Sequence, residues 1–361
     1  MISFLDIKKI NLRYEAVFQE SLKRVMDSGW YILGNEVKDF EQNFAQYCKS
    51  KYCVGVGNGL DAITLTFLAY IERGVLKKGD EIIVPANTYI ASILGILHAG
   101  LVPVLVEPEL TTYNINPELI EEKITDKTKG ILIVHLYGQL AKMDRIIELG
   151  YQYDLLIVED AAQGHGLPFQ GSHTRTFSFY PGKNLGALGD GGAVLTNDEM
   201  LAKTILKLRN YGSEIKYYNE SIGFNSRLDE LQAAFLNIKL PDLDSDNERR
   251  RSIAKRYINE IKNDAIVLPH WDLSDNHVFH LFVIRCKDRL QLQDYLHQNR
   301  IQTMIHYPIP PHKQKAIPEW NQLSFPITEK IHDEVVSLPM SAVLTDDEVS
   351  HIISVLNRYT K

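Results

Sequence analysis

The stretch that decides the fold is residues 130–163, GILIVHLYGQLAKMDRIIELGYQYDLLIVEDAAQ. It contains two continuous apolar runs, Gly130–His135 and Leu155–Glu159, with a segment of helical periodicity, Met143–Leu149, between them. A continuous apolar run predicts a strand buried on both faces, which is typical of parallel sheets covered by helices. The stretch therefore predicts a strand–helix–strand unit of a parallel α/β sheet.

The same alternation extends through the first two thirds of the chain. Further helices are predicted over 15–27, 36–48, 61–73, 90–99, 117–124 and 198–209. Further strands are predicted over 52–56, 81–84, 102–106, 177–179 and 192–196. Strands that alternate with helices predict a mostly parallel sheet with helices on both faces.

The pattern changes near Leu240 and Pro241. The elements predicted beyond this point are a charged helix from about Asp246, strands over 278–285 and 301–305, a proline-rich loop at 308–311 and a last helix over 345–358. We therefore expect a large α/β domain over residues 1–240 and a smaller α+β domain over 241–361.

The composition indicates an ordinary globular protein. The 361 residues are 45% hydrophobic and 24% charged, and the net charge is −7. A nucleic-acid-binding protein usually has a basic excess, so the charge argues against nucleic acid as a partner. It does not exclude an anionic small ligand, because a local basic pocket can lie on an acidic protein.

Several features predict a cytoplasmic protein with no membrane partner. The cysteines are too few for a disulfide framework and are expected as free thiols: Cys48, Cys53 and Cys286. The first residues, MISFLDIKKINLRYEAV, contain no apolar run long enough for a signal peptide. Residues 82–106 carry no Asp, Glu, Lys or Arg, but their prolines and Gly100 favour strand, turn, helix and strand over a membrane span.

A glycine-rich segment, Val54–Leu60, lies between a predicted strand and a predicted helix. Glycines at such a place allow backbone N–H groups to approach an anion at the positive end of the helix dipole. The dinucleotide fingerprint G-x-G-x-x-G fails, because Leu60 occupies its sixth position. A phosphate-binding loop and a tight turn that needs positive φ both remain open.

An acidic residue, Asp160, follows the buried strand in the motif EDAAQ. Ligands bind at this end of parallel strands, so the carboxylate could act as a base or pair with a protonated ring nitrogen. The alternative is a helix N-cap. His165 raises the question of a metal, but no convincing third ligand is present, and no metal site is predicted.

A single lysine, Lys183, lies in the segment FSFYPGKNLG, residues 177–186, among aromatic, proline and glycine residues. A lysine is usually a solvated surface charge, whereas one shielded from water has a lowered pKa and becomes a nucleophile. Ser178, five residues earlier, offers a hydroxyl. A phosphate-binding loop, an acid and a shielded lysine are together the groups that bind pyridoxal 5′-phosphate (PLP).

Seven ordered motifs carry a resemblance that covers almost the whole chain. They are GNGLDA at 57–62, PANTY at 85–89, HLYG at 135–138, EDAAQ at 159–163, the segment 178–192, NSRLDELQAA at 225–234 and HYP at 306–308. With these motifs the sequence resembles the DegT/DnrJ/EryC1/StrS family of sugar aminotransferases. The resemblance implies the PLP fold type I (aspartate aminotransferase-like) architecture.

The resemblance also implies roles toward the cofactor. Lys183 corresponds to the catalytic lysine that holds the PLP aldehyde, and Asp160 to the residue that pairs with the pyridine nitrogen. Gln163 lies near the ring hydroxyl and Tyr89 stacks on the ring. The remaining cofactor contacts are to the phosphate: Gly59, Leu60, Ser178 and, from the other subunit of a homodimer with shared sites, Asn225.

Five residues are expected near a nucleotide-linked keto sugar. Lys216, Tyr217, His306 and Tyr307 correspond to such positions in the family. From spacing alone, His306 and Tyr307 could equally be structural. Tyr31 either lines the nucleotide pocket or packs between the first helices.

Two sequence segments, SFYPGKNLGA at 178–187 and FLDIKKI at 4–10, resemble the branch of the family that acts on 3-keto sugars. They imply amino transfer from L-glutamate to C3 of a dTDP-linked 3-keto-6-deoxyhexose, in lipopolysaccharide or other glycan biosynthesis. The alternatives are amination at C4 or of a UDP-linked sugar. Two non-enzymatic alternatives are a catalytically inactive binding protein that keeps the PLP fold and a scaffold without cofactor.

Two further residues are expected to be structural. His135 is expected to be a core histidine whose nitrogens are hydrogen-bonded, and Asp190 is expected to cap a turn.

Overall fold

Helices and strands alternate along the computed structural model, which describes residues 1–169 and 173–360. Lys361, the end of the predicted second domain, lies outside the described residues. The helices are α1 Ile7–Leu12, α2 Glu15–Ser28, α3 Asn35–Tyr47, α4 Gly59–Glu72, α5 Ile90–His98, α6 Met143–Gln152, α7 Glu199–Leu208, α8 Glu230–Lys239, α9 Leu243–Glu260, α10 Arg289–Gln298, α11 Pro326–Glu334 and α12 Asp346–Arg358. The strands are β1 Tyr52–Val56, β2 Glu81–Pro85, β3 Val102–Val106, β4 Thr128–Val134, β5 Leu156–Asp160, β6 Thr174–Ser178, β7 Gly192–Thr196, β8 Ser213–Ile215, β9 Tyr218–Asn219, β10 Phe282–Arg285 and β11 Val335–Leu338.

The central sheet has seven strands in the order β1-β7-β6-β5-β4-β2-β3. Neighbouring strands of this sheet are parallel except at β7, which runs antiparallel to both β6 and β1. The link from β6 to β7 carries no helix, and an antiparallel neighbour needs no helical crossover. The predicted mostly parallel α/β sheet is confirmed.

Helices cover both faces of this sheet. On one face, α3 places Phe40 and Phe44 against the sheet, where Phe44 meets Phe177 and Phe179 edge-on at 5.0 and 5.3 Å between ring centroids. On the other face, α4, α5 and α7 bury a second apolar cluster against the strands. The apolar run 82–106 becomes β2, α5 and β3, as predicted.

A separate apolar cluster lies in the C-terminal part of the chain. It joins α9, α10 and α12 to the two-stranded sheet of β10 and β11 around Tyr257 and Phe282. Ile2 also packs against this cluster and pairs with Ile301. The division into residues 1–240 and 241–361 stays a prediction.

Three predicted elements are wrong in detail. The strand over 301–305 is only two isolated bridges, at Ile301 and Met304, and the strand over 278–285 is confined to Phe282–Arg285. The helix over 117–124 is two short 3₁₀ turns. Periodicity alone does not decide whether such segments form regular elements, because tertiary context overrides local preference.

Within the described residues, none of the helices has the length and apolar character that a membrane span requires.

Candidate active site

A cavity of about 790 Å³ lies at the edge of the sheet where β5 and β6 end and α4 begins. Strands β1, β5 and β6 run in the same direction, so their carboxyl ends meet at this edge, where α/β sheets bind ligands. Nine predicted site residues line the cavity: Gly59, Leu60, Tyr89, Asp160, Gln163, Ser178, Lys183, His306 and Tyr307.

One end of the cavity can hold a phosphate. Helix α4 starts at Gly59, and the first N–H groups of a helix have no partner within it. A Cβ on Gly59 would lie 2.6 Å from Cβ of Ser178, so a side chain here would fill the cradle between helix and hydroxyl. Gly55, Gly57 and Gly59 are absent from the glycines with positive φ, so the positive-φ turn is the wrong interpretation.

The register of β7 helps to form this cradle. Gly192 lies opposite Val56 in β1 and opposite Ser178 in β6. A Cβ on Gly192 would lie 2.4 Å from the backbone of Asn58. Glycine at this position therefore allows the loop before α4 to approach Ser178 across the intervening strand.

Asp160 is the last residue of β5 and is 6% exposed. Its Oδ2 accepts a hydrogen bond from Oγ of Ser92 at 2.7 Å, and its Oδ1 accepts one from the backbone N–H of Ala162 at 3.0 Å. The second bond is an Asx turn, and no helix begins here. The N-cap interpretation is therefore wrong, and the carboxylate is held in one orientation.

The side chain of the neighbouring Glu159 points to the opposite face of the strand and is buried in the core. It lies 2.6 Å from Nε2 of His135 and accepts a hydrogen bond from Nε of Arg175 at 2.7 Å, with His173 as a further partner. Although burial opposes ionisation, Arg175 and the two histidines hold the pKa of Glu159 well below its ordinary value. His135 is thus a satisfied core histidine, as expected.

Lys183 lies in the loop between β6 and β7, where its backbone N–H donates to the carbonyl of Tyr180 at 2.8 Å. Burial lowers the pKa of its ammonium group to about 8, and the negative charge of Asp160 partly offsets this effect. A lysine with such a pKa is appreciably neutral near neutral pH and acts as a nucleophile and a proton carrier. The lowered pKa agrees with the lysine shielded from water that the sequence predicts, and the catalytic role of Lys183 stays a prediction.

Two tyrosines and a glutamine form a wall of the cavity. The side-chain amide of Gln163 donates to the hydroxyl of Tyr307 at 3.0 Å, and the ring of Tyr307 lies 5.1 Å from that of Tyr89. The backbone N–H of Tyr137 donates to Oε1 of Gln163. Burial raises the pKa of Tyr307, so its hydroxyl stays protonated.

His306 enters the same cavity from the C-terminal part of the chain. Its Nδ1 lies 2.8 Å from Oγ of Ser337 in β11, and its carbonyl accepts a hydrogen bond from the hydroxyl of Tyr137. Burial and the charge of Lys183 lower its pKa to about 4. The imidazole is therefore neutral at physiological pH.

Four predicted site residues lie outside the cavity of their own chain. Lys216 and Tyr217 lie between β8 and β9, where Tyr217 is 84% exposed, and Asn225 is exposed after this hairpin. Tyr31 is 57% exposed and lines a surface groove beside α2 with Leu22 and Met26. Their predicted roles stay predictions.

Sequence reasoning missed several residues that line the cavity or support it. Ser92, on α5, holds Asp160, and it bonds in turn to the hydroxyl of Thr88 at 2.9 Å. Other missed lining residues come from the first residues of the chain and from its C-terminal third: Phe4, Leu5, His280, Gln302, Met304 and Met340. No local pattern marks them, because their position depends on packing between distant segments.

The structure also addresses two polar residues that the sequence left open. His165 lies buried against the rings of Phe177 and Phe179, at 5.3 and 5.7 Å. Among the described residues, no group of three or more His, Cys, Asp or Glu side chains could hold a metal ion. Asp190 is exposed and lines the cavity, and its expected role as a turn cap stays a prediction.

The donors and charges of the cavity fit PLP. The N-terminus of α4 and the Ser178 hydroxyl provide phosphate donors, Asp160 provides an oriented carboxylate for a protonated ring nitrogen, and Lys183 provides an amine for the aldehyde. Together with the mostly parallel sheet, this set defines a PLP-dependent enzyme of fold type I.

The chain belongs to the DegT/DnrJ/EryC1/StrS aminotransferase family, whose model matches residues 13–357. It is 57% identical, over 99% of each chain, to the dTDP-3-amino-3,6-dideoxy-alpha-D-galactopyranose transaminase of Aneurinibacillus thermoaerophilus.

Two solved structures support the fold and the cofactor. DesV from S. venezuelae, solved with a reaction intermediate, superimposes with a TM-score of 0.95 at 42% identity, over 100% of this chain and 99% of that one. NtdA from Bacillus subtilis, with bound cofactor PMP, superimposes with a TM-score of 0.92 at 34% identity, over 98% of this chain and 84% of that one. The protein is thus a PLP-dependent aminotransferase, and the predicted family, fold, cofactor and enzyme class are confirmed.

Proposed function

We propose that this enzyme transfers an amino group from L-glutamate to C3 of a dTDP-linked 3-keto-6-deoxyhexose and so forms a dTDP-3-amino-3,6-dideoxyhexose. The 57% identity to a transaminase named for such a product, over 99% of both chains, carries the proposal. Lys183, with its pKa lowered to about 8 inside the cavity, supplies the group that the chemistry needs.

When bound, PLP supplies an electrophilic aldehyde and a ring that accepts electrons. Lys183 would hold the aldehyde until the amino donor arrives, and its Nζ would then carry the proton from the donor's α-carbon to the cofactor. In the second half-reaction the same Nζ would carry a proton from the cofactor to C3 of the sugar. A pKa near 8 allows the amine to act in both directions, because neither protonation state is strongly favoured.

Other residues of the cavity orient the cofactor. Asp160, held by Ser92 and the N–H of Ala162, keeps a proton on the ring nitrogen. The N–H groups of Gly59 and Leu60 and the hydroxyl of Ser178 would bind the phosphate. The ring of Tyr89 would stack on the cofactor, Gln163 would lie by the ring hydroxyl, and His306 and Tyr307 would contact the substrate.

We further infer a homodimer with shared sites, in which the partner supplies Asn225, Lys216, Tyr217 and Tyr31. All four lie outside the cavity of their own chain, in regions with large exposed apolar side chains: Met26, Trp30, Tyr217, Tyr218, Ile222 and Phe224. Such patches mark interaction surfaces. The proposed setting is the cytoplasm, where the product would enter lipopolysaccharide or other glycan biosynthesis.

The test uses the enzyme in its pyridoxamine phosphate form. Candidate dTDP- and UDP-linked sugars with a keto group at C3 or C4 are added one at a time, and the return of the PLP spectrum is recorded. We expect the dTDP-linked 3-keto sugar to give the fastest return. A faster return with a 4-keto or UDP-linked sugar would contradict the proposal, and failure of L-glutamate to convert the PLP form would favour an idle binding protein.

A further inference from the structure

His280 lines the active-site cavity, and its ring is hydrogen-bonded to Asn184, the residue that follows Lys183. His280 precedes β10, and its side chain lines the cavity together with Lys183. Its Nδ1 lies 3.1 Å from Oδ1 of Asn184. His280 lies outside the seven motifs that carry the family resemblance.

The partners of Asn184 decide which nitrogen of His280 carries the hydrogen. Nδ2 of Asn184 donates to the backbone carbonyl of Val278 at 3.1 Å and to Oδ1 of Asn247 at 2.8 Å. A carbonyl oxygen only accepts, so the amide nitrogen must face Val278 and the amide oxygen must face His280. Nδ1 of His280 is therefore the donor, and Nε2 keeps its lone pair.

The surrounding charges keep this ring neutral. Burial and the positive charges of Lys183 and Arg250 hold the pKa of His280 well below its ordinary value. The same positive field disfavours a second cation, such as the ammonium group of an amino donor, beside the ring. The neutral Nε2 atom can accept a hydrogen bond from an uncharged donor group. The hydroxyl groups of a sugar are such donors.

We propose that Nε2 of His280 accepts a hydrogen bond from a hydroxyl group of the keto sugar next to the reacting carbon, and that Asn184 is a positioning residue that keeps Nε2 an acceptor. The proposal rests on the proposed function, since it takes a hydroxylated keto sugar as the substrate. It makes His280 a specificity-determining residue for the second half-reaction.

The two half-reactions separate this role from a structural one. His280→Phe keeps a ring and removes both nitrogens, whereas His280→Gln keeps an acceptor. With the keto sugar that the wild type accepts best, we expect His280→Phe to lower kcat/KM roughly 10- to 100-fold, as for a lost hydrogen bond that leaves a buried donor unpaired. His280→Gln should restore part of this loss, and the half-reaction with L-glutamate should stay within about threefold.

Deoxy analogues of the sugar identify the hydroxyl. The wild type should discriminate against an analogue that lacks the hydroxyl next to the keto carbon, and His280→Phe should treat both sugars alike. Equal slowing of both half-reactions, or unchanged discrimination in His280→Phe, would overturn the proposal. Because the sugar is the one that the wild type accepts, a wrong assignment of C3 or dTDP leaves this test intact.

A control and a spectroscopic readout complete the test. His165 is also buried near the charge of Lys183 but does not line the cavity, so His165→Phe should keep both half-reactions near the wild-type rates. In protein labelled with ¹⁵N-histidine, the signals lost in His280→Phe should show a hydrogen on Nδ1, and Asn184→Ala should change this tautomer and lower kcat/KM for the sugar alone. A hydrogen on Nε2 in the wild type would overturn the proposal.

Discussion

The hydroxyl of Ser92 donates to Oδ2 of Asp160 at 2.7 Å and so ties the first turn of α5 to the end of β5. Oγ of Ser92 is also 2.9 Å from the hydroxyl of Thr88, so a pair of buried hydroxyls stands behind the carboxylate. This contact joins residues 68 positions apart in the chain. It gives Asp160 a defined orientation before any cofactor binds.

Ser92→Ala should weaken the interaction between the Asp160 carboxylate and the ring nitrogen of the cofactor, because the carboxylate loses a hydrogen bond that orients it. Loss of one hydrogen bond to a charged acceptor is worth about 1.5 to 3 kcal/mol. We expect a fall of roughly 10- to 100-fold in PLP affinity and in the rate of the L-glutamate half-reaction. Thr66→Val removes an equally buried hydroxyl that donates only within α4, and it should change neither quantity appreciably. Wild-type affinity in Ser92→Ala would contradict this role.

Capture of PLP by the apoenzyme should depend on pH through Lys183. Its pKa is lowered to about 8, and only the neutral amine attacks the aldehyde. The rate measured by stopped-flow absorbance should therefore rise with pH and reach half of its maximum near pH 8. Asp160 raises this pKa, so Asp160→Asn should move the midpoint to lower pH. A midpoint near 10.5, the ordinary value for lysine, would contradict the shielding of Lys183.

Lys239 offers a matched control for that experiment. Burial lowers its pKa to about 8 as well, but its Nζ donates to the carbonyl of Gly186 and to Asn11, away from the cavity. Lys239→Met should keep the covalent capture of PLP and its pH midpoint. Lys183→Met should abolish the absorbance of covalently held PLP.

Glu159→Gln should destabilise the fold rather than the chemistry. It removes a buried charge that pairs with Arg175 and two histidines, at a cost of about 3 kcal/mol in the free energy of unfolding. The folded-state pKa of Glu159 is depressed, so its contribution is present above about pH 4.5 and is lost as the pH falls. The difference between wild type and variant, measured by urea unfolding, should therefore narrow below that pH.

Glu148→Gln is the control for this measurement. Glu148 pairs with Arg145 on the surface, with a side chain that is 66% exposed, and such pairs contribute little. We expect a change below about 0.5 kcal/mol. An equally small change in Glu159→Gln would show that the buried network is not needed for stability.

Mixed dimers should test whether the partner supplies Asn225. Lys183→Ala and Asn225→Ala are each expected to be inactive as homodimers. In a heterodimer, one site receives an intact Lys183 and an intact Asn225, so an equal mixture should regain roughly a quarter of the wild-type activity, as half of the dimers carry one working site of two.

The control mixture combines Lys183→Ala with Asp160→Ala, since Lys183 and Asp160 line the cavity of the same chain. This mixture should stay inactive. Activity there, or none in the first mixture, would contradict a site shared through Asn225.

Local pattern was enough to predict the parts of the site that follow strand ends. Asp160 and Ser178 end β5 and β6, and α4 starts at Gly59, separated from the end of β1 by two residues. These positions can be predicted from the sequence because parallel strands place their carboxyl ends at one edge of a sheet. The same reasoning failed for residues 301–305, where apolar residues form only isolated bridges, because a strand also requires a partner at the right distance.

The sequence by itself determined the α/β architecture, the family and the cofactor, and it predicted Lys183 and Asp160 as catalytic residues, since these inferences depend on periodicity and on ordered motifs. Only the tertiary structure decided that β7 is antiparallel, that Ser92 donates a hydrogen bond to Asp160 and that Nδ1 of His280 lies beside Oδ1 of Asn184. The physical reason is that hydrogen-bond orientation and pKa depend on groups brought together from distant segments. Ser92 and Asp160 are 68 residues apart, and Asn184 and His280 are 96 apart.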